Sequence, residues 1–337
     1  MIVEENRRMR SPTYDEVKAA AERIAGVVRP LTVAPMGRQS EDEQALGSLR
    51  PSAGTGGAEV FLGLEFLQHT GSFKARGAAN LMAGLIETGS MPAAGIVSAT
   101  GANADIGFAW AAKIFGVRAT VFLAGSTPRA KVAWLRALGA EVRLAGEAQD
   151  NARESAHDFM TSTGAIDAYS YDDNLTSAGA GTILLEFMDV VAGLDTIVLA
   201  VGAGGMFSGI AAVADYFGIR VVGAEPDGSR ALNAALAAGT VLDVSVDSIA
   251  ADSLGAPRVS AAALAWAVST DVRSVVVDDD AIVRARRQLW DRHRLVVEHG
   301  SATGLAALAT RAYQPRDGER IGVVLCGANT DPSDLVD

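Results

Sequence analysis

The chain has 337 residues, of which 49% are hydrophobic and 36 are glycine, so it can bury the core of one large domain or two smaller ones. Its net charge of −11 argues against a nucleic-acid or anionic-membrane partner. A single cysteine excludes an intrachain disulfide, and residues 1–10 lack the apolar run of a secretory signal; together these features predict a cytoplasmic protein.

The first predicted element is an amphipathic helix over 11–28, capped by Ser11 before Pro12. Residues 37–58 are rich in glycine, serine and charge without periodicity, which predicts a long surface loop. The uncharged stretch 196–214 is interrupted by glycines, so it predicts a buried strand, a glycine loop and a helix rather than a membrane span.

From residue 94 onward, short apolar segments alternate with helical ones. Strands are predicted over 95–99, 118–123, 141–144, 196–201, 220–224 and 321–326. Helices are predicted over 102–115, 128–138, a polar stretch that ends near 161, 179–191 and 206–217. This alternation predicts mostly parallel sheets with helices on both faces, and its two blocks, near 94–165 and 190–330, predict two domains with a cleft between them.

Lys74 lies in the run Thr70-Gly71-Ser72-Phe73-Lys74-Ala75-Arg76-Gly77-Ala78 and is one of only four lysines among 29 basic residues. An amine that must lose its proton and attack a carbonyl has to come from lysine, because a guanidinium stays protonated. The alternative interpretation of a Gly-Ser-x-Lys sequence is a solvated lysine on a turn, so further motifs must decide between the two.

A glycine-rich turn, Val201-Gly202-Ala203-Gly204-Gly205-Met206, follows a predicted strand and begins a helix. Small residues let successive N–H groups turn inward around an anion, and the helix dipole adds positive potential. The turn lacks the Lys of an NTPase phosphate loop and the spacing of a dinucleotide fingerprint. Tight strand–helix packing would explain it equally well. An amine nucleophile and a phosphate cradle in one chain, however, indicate pyridoxal phosphate, which needs both.

Five motifs in chain order resemble those of the fold-type II pyridoxal-phosphate enzymes, the group of serine and threonine dehydratases, serine racemase and cysteine synthases. They are the lysine segment 70–78, the loop Thr100-Gly101-Ala102-Asn103, the turn 202–206, Gly223-Ala224-Glu225-Pro226, and Leu325-Cys326-Gly327-Ala328-Asn329. The resemblance covers nearly the whole chain. It implies a two-domain, three-layer α/β fold with mostly parallel sheets and a homodimer or homotetramer. The large cofactor-binding domain would comprise 1–85 and 170–337, and a small domain, 86–169, would close over an amino-acid substrate.

The resemblance also implies a role for each motif. Lys74 would bind the cofactor covalently and then act as the base at the substrate's α-carbon, with Phe73 packed near the cofactor ring. Asn103 would contact the cofactor's phenolate oxygen. The phosphate would be held by Gly202, Ala203, Gly204, Gly205 and Met206. Substrate contacts would come from Ser72, Asn103, the N–H groups of Thr100, Gly101 and Ala102, and Arg153, although Arg153 also fits an exposed helical side chain.

Cys326 falls where the family has serine or cysteine against the pyridine nitrogen. A thiol is a weak hydrogen-bond partner and would leave the ring largely neutral, which favours expulsion of a β-leaving group over transamination. A lone cysteine is also commonly a small buried apolar residue, and the two roles are compatible. The resemblance therefore implies β-elimination from serine, threonine or a larger β-hydroxy amino acid, with a 2-oxo acid and ammonia as products.

Three alternatives stay open. A racemase of this family needs a serine base on the opposite face, and Gly101 at that position disfavours racemisation. The run Asn103-Ala104-Asp105-Ile106-Gly107 resembles the Asn-Thr-Gly-Ile-Gly of cysteine synthases and keeps β-replacement open, whereas 321–331 resembles the dehydratases. A non-catalytic cofactor-binding protein is the third alternative, and the retention of Lys74 and Cys326 argues against it.

Several positions depart from the family pattern. Ala104 stands where histidine is usual, and Ala180 replaces the Gln of Gly-Gln-Gly-Thr. These departures predict a substrate other than plain serine or threonine, such as a bulkier β-hydroxy amino acid. No metal is predicted near Glu225, because the later carboxylate position of that cation site is Ala231, next to Arg230.

Overall fold

The structure, a computed structural model, describes residues 11–36, 57–168 and 173–336. Its strands are β1 (Val33–Pro35), β2 (Glu59–Gly63), β3 (Ile96–Ser98), β4 (Ala119–Leu123), β5 (Glu141–Leu144), β6 (Ile166–Asp167), β7 (Thr196–Ala200), β8 (Arg220–Pro226), β9 (Val272–Val277) and β10 (Arg320–Val324). Its α-helices are α1 (Tyr14–Ile24), α2 (Lys74–Glu87), α3 (Asn103–Phe115), α4 (Arg129–Ala137), α5 (Gln149–Thr163), α6 (Asn174–Val190), α7 (Gly205–Phe217), α8 (Ala231–Ala238), α9 (Ala251–Leu254), α10 (Ala261–Ser269), α11 (Asp279–His293) and α12 (His299–Ala309). Residues 37–56 of the predicted surface loop lie outside the described residues. No helix within the described residues is both long and apolar enough to span a bilayer.

Two sheets organise these elements. Six strands form the larger sheet in the order β1-β2-β10-β7-β8-β9, and four form the smaller one in the order β5-β4-β3-β6. Every neighbouring pair is parallel except β1 and β2. The predicted α/β fold with mostly parallel sheets is thereby confirmed.

The larger sheet is buried on both faces. Along β7, Ile197 and Leu199 belong to one core and Val198 to the other, because successive side chains of a strand point to opposite faces. The first core is shared with α6, α7 and α10, and the second with α11 and α12. The result is a helix–sheet–helix sandwich of three layers.

The smaller sheet is built entirely from residues between 96 and 167. Its core also includes Ala78, Leu81 and Met82 of α2, a helix that lies almost wholly within the predicted large domain. The chain thus forms two sheets, each with its own core, joined by a helix that packs on the smaller one. The predicted domain boundaries at 86 and 169 stay a prediction.

Helix α1 is shorter than the predicted helix over 11–28 and begins at a different cap. Thr13, rather than Ser11, is its N-cap: Thr13 Oγ1 accepts from Glu16 N at 3.3 Å, and the Glu16 carboxylate accepts from Thr13 N at 2.8 Å. This reciprocal pair is a capping box, and its Thr-x-x-Glu signal at 13–16 competes successfully with Ser11-Pro12.

Helix α6 begins five residues earlier than the predicted start at 179. Its N-cap is Asp173, whose side chain accepts from Thr176 N at 3.0 Å. The glycines within α6 allow close packing. A Cβ on Gly179 would lie 2.7 Å from the main-chain oxygen of Arg76 in α2, and one on Gly181 would lie 2.5 Å from that of Gly209 in α7. These close backbone contacts pack α6 against both α2 and α7.

Candidate functional site

A cavity of about 270 Å³ lies at the carboxyl ends of β3, β7 and β10. This size is close to the lower end of the roughly 300–1,000 Å³ typical of small-molecule sites. Its wall combines the start of α2, the loop after β3, the turn after β7, the segment 251–257 and Cys326. In open parallel sheets the carboxyl ends of the strands are the usual place for a ligand.

Lys74 is the first residue of α2, and main-chain contacts fix its position. Phe73 N donates to Cys326 O at 2.9 Å, and Ala328 N donates to Gly71 O at 2.9 Å. The segment before Lys74 is therefore pinned to the segment after β10.

The Lys74 amine faces the cavity without a hydrogen-bond acceptor among the described residues. Its Nζ lies 4.8 Å from the centroid of the Phe73 ring, which also lines the cavity. Enclosure by protein atoms lowers the pKa of Lys74 from its ordinary 10.5, and Cys326 and Glu298 oppose this shift only in part. The environment thus favours the neutral amine, which is the form that can attack a carbonyl or accept a proton.

The glycine-rich turn presents a row of main-chain donors. Residues 202–206 all line the cavity, and in the described part of the chain their N–H groups donate to no acceptor. Gly204 has a φ of +97°, and a Cβ there would lie 2.5 Å from Ala263 Cβ, so the position requires glycine. Because α7 begins at Gly205, its dipole adds positive potential at this row. The turn can hold a phosphate group.

Cys326 follows β10 and is only 6% exposed. Ser301 Oγ donates to its sulfur at 3.4 Å and accepts from Gly327 N at 2.7 Å. Burial raises the pKa of Cys326 to about 12. The side chain therefore stays a thiol at any physiological pH.

The loop after β3 is held from within by Asp105. The carboxylate accepts hydrogen bonds from Ser98 Oγ, from Thr100 N at 2.9 Å and from Gly101 N at 2.7 Å. Ala102 N donates to Thr100 Oγ1 at 3.1 Å. The three N–H groups predicted to meet a substrate carboxylate are thus all used inside the protein.

The next two N–H groups are different. Asn103 and Ala104 begin α3, which has no side-chain cap, and both line the cavity. Across 11–36, 57–168 and 173–336 their N–H groups have no acceptor. These two donors are the ones available to a carboxylate at this helix terminus.

Asn103 is bound to two polar residues that the sequence did not single out for the site. Its Nδ2 donates to Glu298 Oε1 at 2.8 Å, and its Oδ1 accepts from Asn329 Nδ2 at 2.7 Å. Glu298 lines the cavity and is 2% exposed, and burial raises its pKa from the ordinary 4.5. The predicted contact of Asn103 with a phenolate oxygen stays a prediction, since the amide is engaged by these two side chains.

Three of the predicted substrate residues stand apart from the wall or at its edge. Ser72 is fully buried, does not line the cavity, and its Oγ has no hydrogen-bond partner among the described residues. Gly101 is also off the wall; its φ is +69°, and a Cβ there would lie 2.8 Å from Gln149 Oε1. Arg153 lines this cavity and a neighbouring one of about 170 Å³, and its guanidinium lies 3.0 Å from Asp150.

Sequence reasoning missed Asp105, Thr176, Glu298 and Ser301. Thr176 lines the cavity, and its buried hydroxyl has no hydrogen-bond partner in the described residues. Asp105 carried a usable signal, because a carboxylate in the first turn of a helix commonly binds N–H groups of the preceding loop. The other three have no local signal: Thr176 and Glu298 line the cavity, and Ser301 acts on it only through its hydrogen bond to Cys326.

Comparisons with known proteins agree on a family. The sequence model described as pyridoxal-phosphate dependent enzyme matches residues 45–327. Phenylserine dehydratase from Ralstonia pickettii is 32% identical over 277 residues, which cover 82% of this chain and 84% of that protein. L-threonine ammonia-lyase from Thermotoga maritima is 31% identical over 277 residues, which cover 82% of this chain and 68% of that protein. The solved structure of maize serine racemase matches with a TM-score of 0.85 at 27% identity, covering 97% of this chain and 96% of that one.

Proposed function

Because the chain belongs to the pyridoxal-phosphate-dependent enzyme family and its cofactor is pyridoxal phosphate, we propose that it is a lyase acting on a β-hydroxy amino acid. It removes the β-hydroxyl as water, and hydrolysis of the released enamine then takes up one water and gives a 2-oxo acid and ammonia. The observation that carries this proposal is the pairing at one cavity of an amine held toward its neutral form, Lys74, with a side chain held as a thiol, Cys326.

The residues at the cavity fit this cofactor. Lys74 offers an amine to its aldehyde, the N–H row of 202–206 matches its phosphate, and the Cys326 thiol suits a neutral ring nitrogen. Bound pyridoxal phosphate supplies an electron sink that makes the α-hydrogen of an amino acid acidic.

Lys74, which lines the cavity, would receive that α-proton on Nζ. A general base works best when its pKa is close to the working pH, and burial moves the pKa of Lys74 in that direction. The sulfur of Cys326 keeps its proton, so it would present no carboxylate-like charge to a ring nitrogen bound there, which would leave electron density available to expel the β-hydroxyl. The two residues therefore support elimination in preference to transamination.

The substrate is oriented by the start of α3. Its α-carboxylate would accept from Asn103 N and Ala104 N, where the helix dipole also favours negative charge. Glu298 accepts from Asn103 Nδ2 and Asn329 N on Oε1, and within the described residues its Oε2 accepts no hydrogen bond. Burial raises the pKa of Glu298, which favours the neutral acid, and its Oε1 anchors Asn103.

Racemisation is the second possibility, since a serine racemase structure is among the similar proteins. One observation favours it: Lys131 Nζ donates to Gly101 O, and burial lowers the pKa of Lys131. However, Lys131 does not line the cavity, and Gly101 itself offers no hydroxyl. The geometry supports elimination as the main reaction.

The proposal is tested by supplying serine, threonine and phenylserine, in both configurations, to the cofactor-loaded protein and measuring 2-oxo acid and ammonia. We expect equal amounts of both products from at least one of them. Lys74→Ala should abolish release, whereas Lys113→Ala, which changes an exposed lysine of α3, should not. The proposal fails if the loaded wild-type protein releases neither product, or if added sulfide diverts the reaction to cysteine.

A further inference from the structure

Asp105 is a buried carboxylate at the edge of the proposed substrate site, and no part of the elimination reaction requires it. We propose that Asp105 is a positioning residue: it binds the N–H groups of Thr100 and Gly101 and so directs the substrate's α-carboxylate to Asn103 and Ala104. The identity of the ligand as an amino acid rests on the proposed function, whereas the contacts of Asp105 do not.

A substrate carboxylate would compete with Asp105 for the N–H groups of Thr100 and Gly101. Asp105 Oδ1 accepts from Thr100 N and Ser98 Oγ, and Oδ2 accepts from Gly101 N. Each N–H group carries one proton, so a substrate carboxylate could take these two donors only by displacing Asp105. The side chain is 0% exposed, and its displacement would leave a buried carboxylate without its donors.

The loop after β3 is also fixed through its carbonyl oxygens. Lys131 Nζ of α4 donates to Gly101 O, and Gln149 Nε2 of α5 donates to Ala99 O at 2.8 Å. Gly101 is thus held at its carbonyl oxygen by Lys131 and at its N–H by Asp105. Because both its carbonyl oxygen and its N–H are bound, Gly101 cannot easily turn that N–H toward the cavity.

Two N–H groups at the start of α3 are available to a ligand. Asn103 and Ala104 line the cavity, and their N–H groups have no acceptor in the described parts of the chain. They lie one and two residues after the N-cap of α3, where the helix dipole is strongest. With Asp105 in place, a carboxylate has one favourable position on this loop; without it, the freed donors of Thr100 and Gly101 create a second.

Asp105 is also a feature of this sequence rather than of the motif around it. The segment Asn103-Ala104-Asp105-Ile106-Gly107 resembles Asn-Thr-Gly-Ile-Gly, in which glycine stands at the position of Asp105. Glycine provides no internal acceptor. The carboxylate therefore adds a restriction on substrate placement that the resembling motif lacks.

The test uses malonate as a probe of the cofactor-loaded protein, because this dicarboxylate has no amino group or β-leaving group and cannot undergo elimination. Its binding is followed by the change in cofactor absorbance, which requires no turnover. In Asp105→Ala the freed donors should tighten malonate binding by about ten-fold, and kcat for the best amino-acid substrate should fall by about ten-fold while KM changes little. Ser98→Ala, which removes one donor to Asp105 but frees no N–H group, should leave malonate binding unchanged.

Asp105→Asn serves if the alanine variant does not fold, because asparagine can accept from only one of the two N–H groups. It should tighten malonate binding by a smaller factor of about three. The inference is overturned if neither folded variant binds malonate more tightly than wild type, or if Ser98→Ala tightens it equally. If the variants bind malonate more tightly but the wild-type protein releases no 2-oxo acid, the role of Asp105 in occupying the N–H groups of Thr100 and Gly101 stands. Only the proposed lyase reaction is then rejected.

Discussion

Replacing Glu225 by glutamine should remove a loss of folding stability that occurs as the pH rises toward 7. Glu225 lies near the end of β8 and is 0% exposed. Its carboxylate accepts from Leu232 N at 2.7 Å and from Asn233 N at 2.8 Å, both in α8. Burial nonetheless dominates and raises the pKa of Glu225 to about 7. The side chain that a cation site would need is thus used to anchor the start of a helix.

The size of the effect follows from that shift. An acid with a raised pKa in the folded state contributes its full stability below its ordinary pKa of 4.5, and that contribution is lost as pH rises to about 7. At about 1.36 kcal/mol per unit of pKa, the rise corresponds to about 3 kcal/mol. The free energy of unfolding should therefore fall by up to about 3 kcal/mol from this residue between pH 4.5 and 7, and then level off.

Urea unfolding followed by circular dichroism at a series of pH values from 5 to 8 measures this directly. The stability of Glu225→Gln relative to wild type should increase from pH 5 to about 7 and then level off toward pH 8, even if the glutamine loses one of the two hydrogen bonds. Glu22→Gln, on the exposed face of α1, controls for the general loss of a carboxylate. A difference between Glu225→Gln and wild type that stays constant from pH 5 to 8 would refute the assignment of the titration to Glu225.

Three further outcomes are expected. Arg76→Met should lower the free energy of unfolding by about 3–5 kcal/mol, because Glu65 would stay buried without its cation; adding Glu65→Met should restore much of the loss, and an equal or greater loss in the double variant would contradict this. Cys326 should react with iodoacetamide at pH 8 only after unfolding, since burial raises its pKa to about 12, and rapid labelling of the folded protein would show otherwise. Glu298→Gln should keep most of the kcat, because burial favours the neutral acid, whereas Glu298→Ala should lower it by removing the anchor of Asn103; similar losses in both variants would mean that the charge of Glu298 matters.

The predictability of the fold depended on how local each signal was. Strand β5 was predicted with its observed bounds, Glu141–Leu144, because a short apolar-containing run is bounded by the end of one helix and the start of the next. Helix α2 was not predicted, although it begins at Lys74. Its Gly77 lowers helix propensity, and the reason for glycine is a distant contact: a Cβ there would lie 2.6 Å from Thr176 O.

The same distinction applies to the site. Lys74, Cys326 and the turn 202–206 carry motifs, and the structure brings them to one cavity. Glu298 could not be predicted, because its contact with Asn103 joins residues 195 positions apart in the chain. The loop after β3 was predicted to bind the substrate carboxylate, but the internal acceptor of its N–H groups, Asp105, was not predicted. A motif shows which residues are present but not where their N–H groups point.

In the proposed reaction Lys74 removes the α-proton and elimination follows, because Gly101 places no second base on the cavity wall. The most direct measurement supplies one stereoisomer of the best β-hydroxy amino acid to the loaded protein and determines, by chiral chromatography and 2-oxo-acid detection in the same sample, the ratio of 2-oxo acid to the isomer inverted at the α-carbon. Elimination through a single base predicts 2-oxo acid in large excess at all times. Accumulation of the inverted isomer faster than the 2-oxo acid would contradict it.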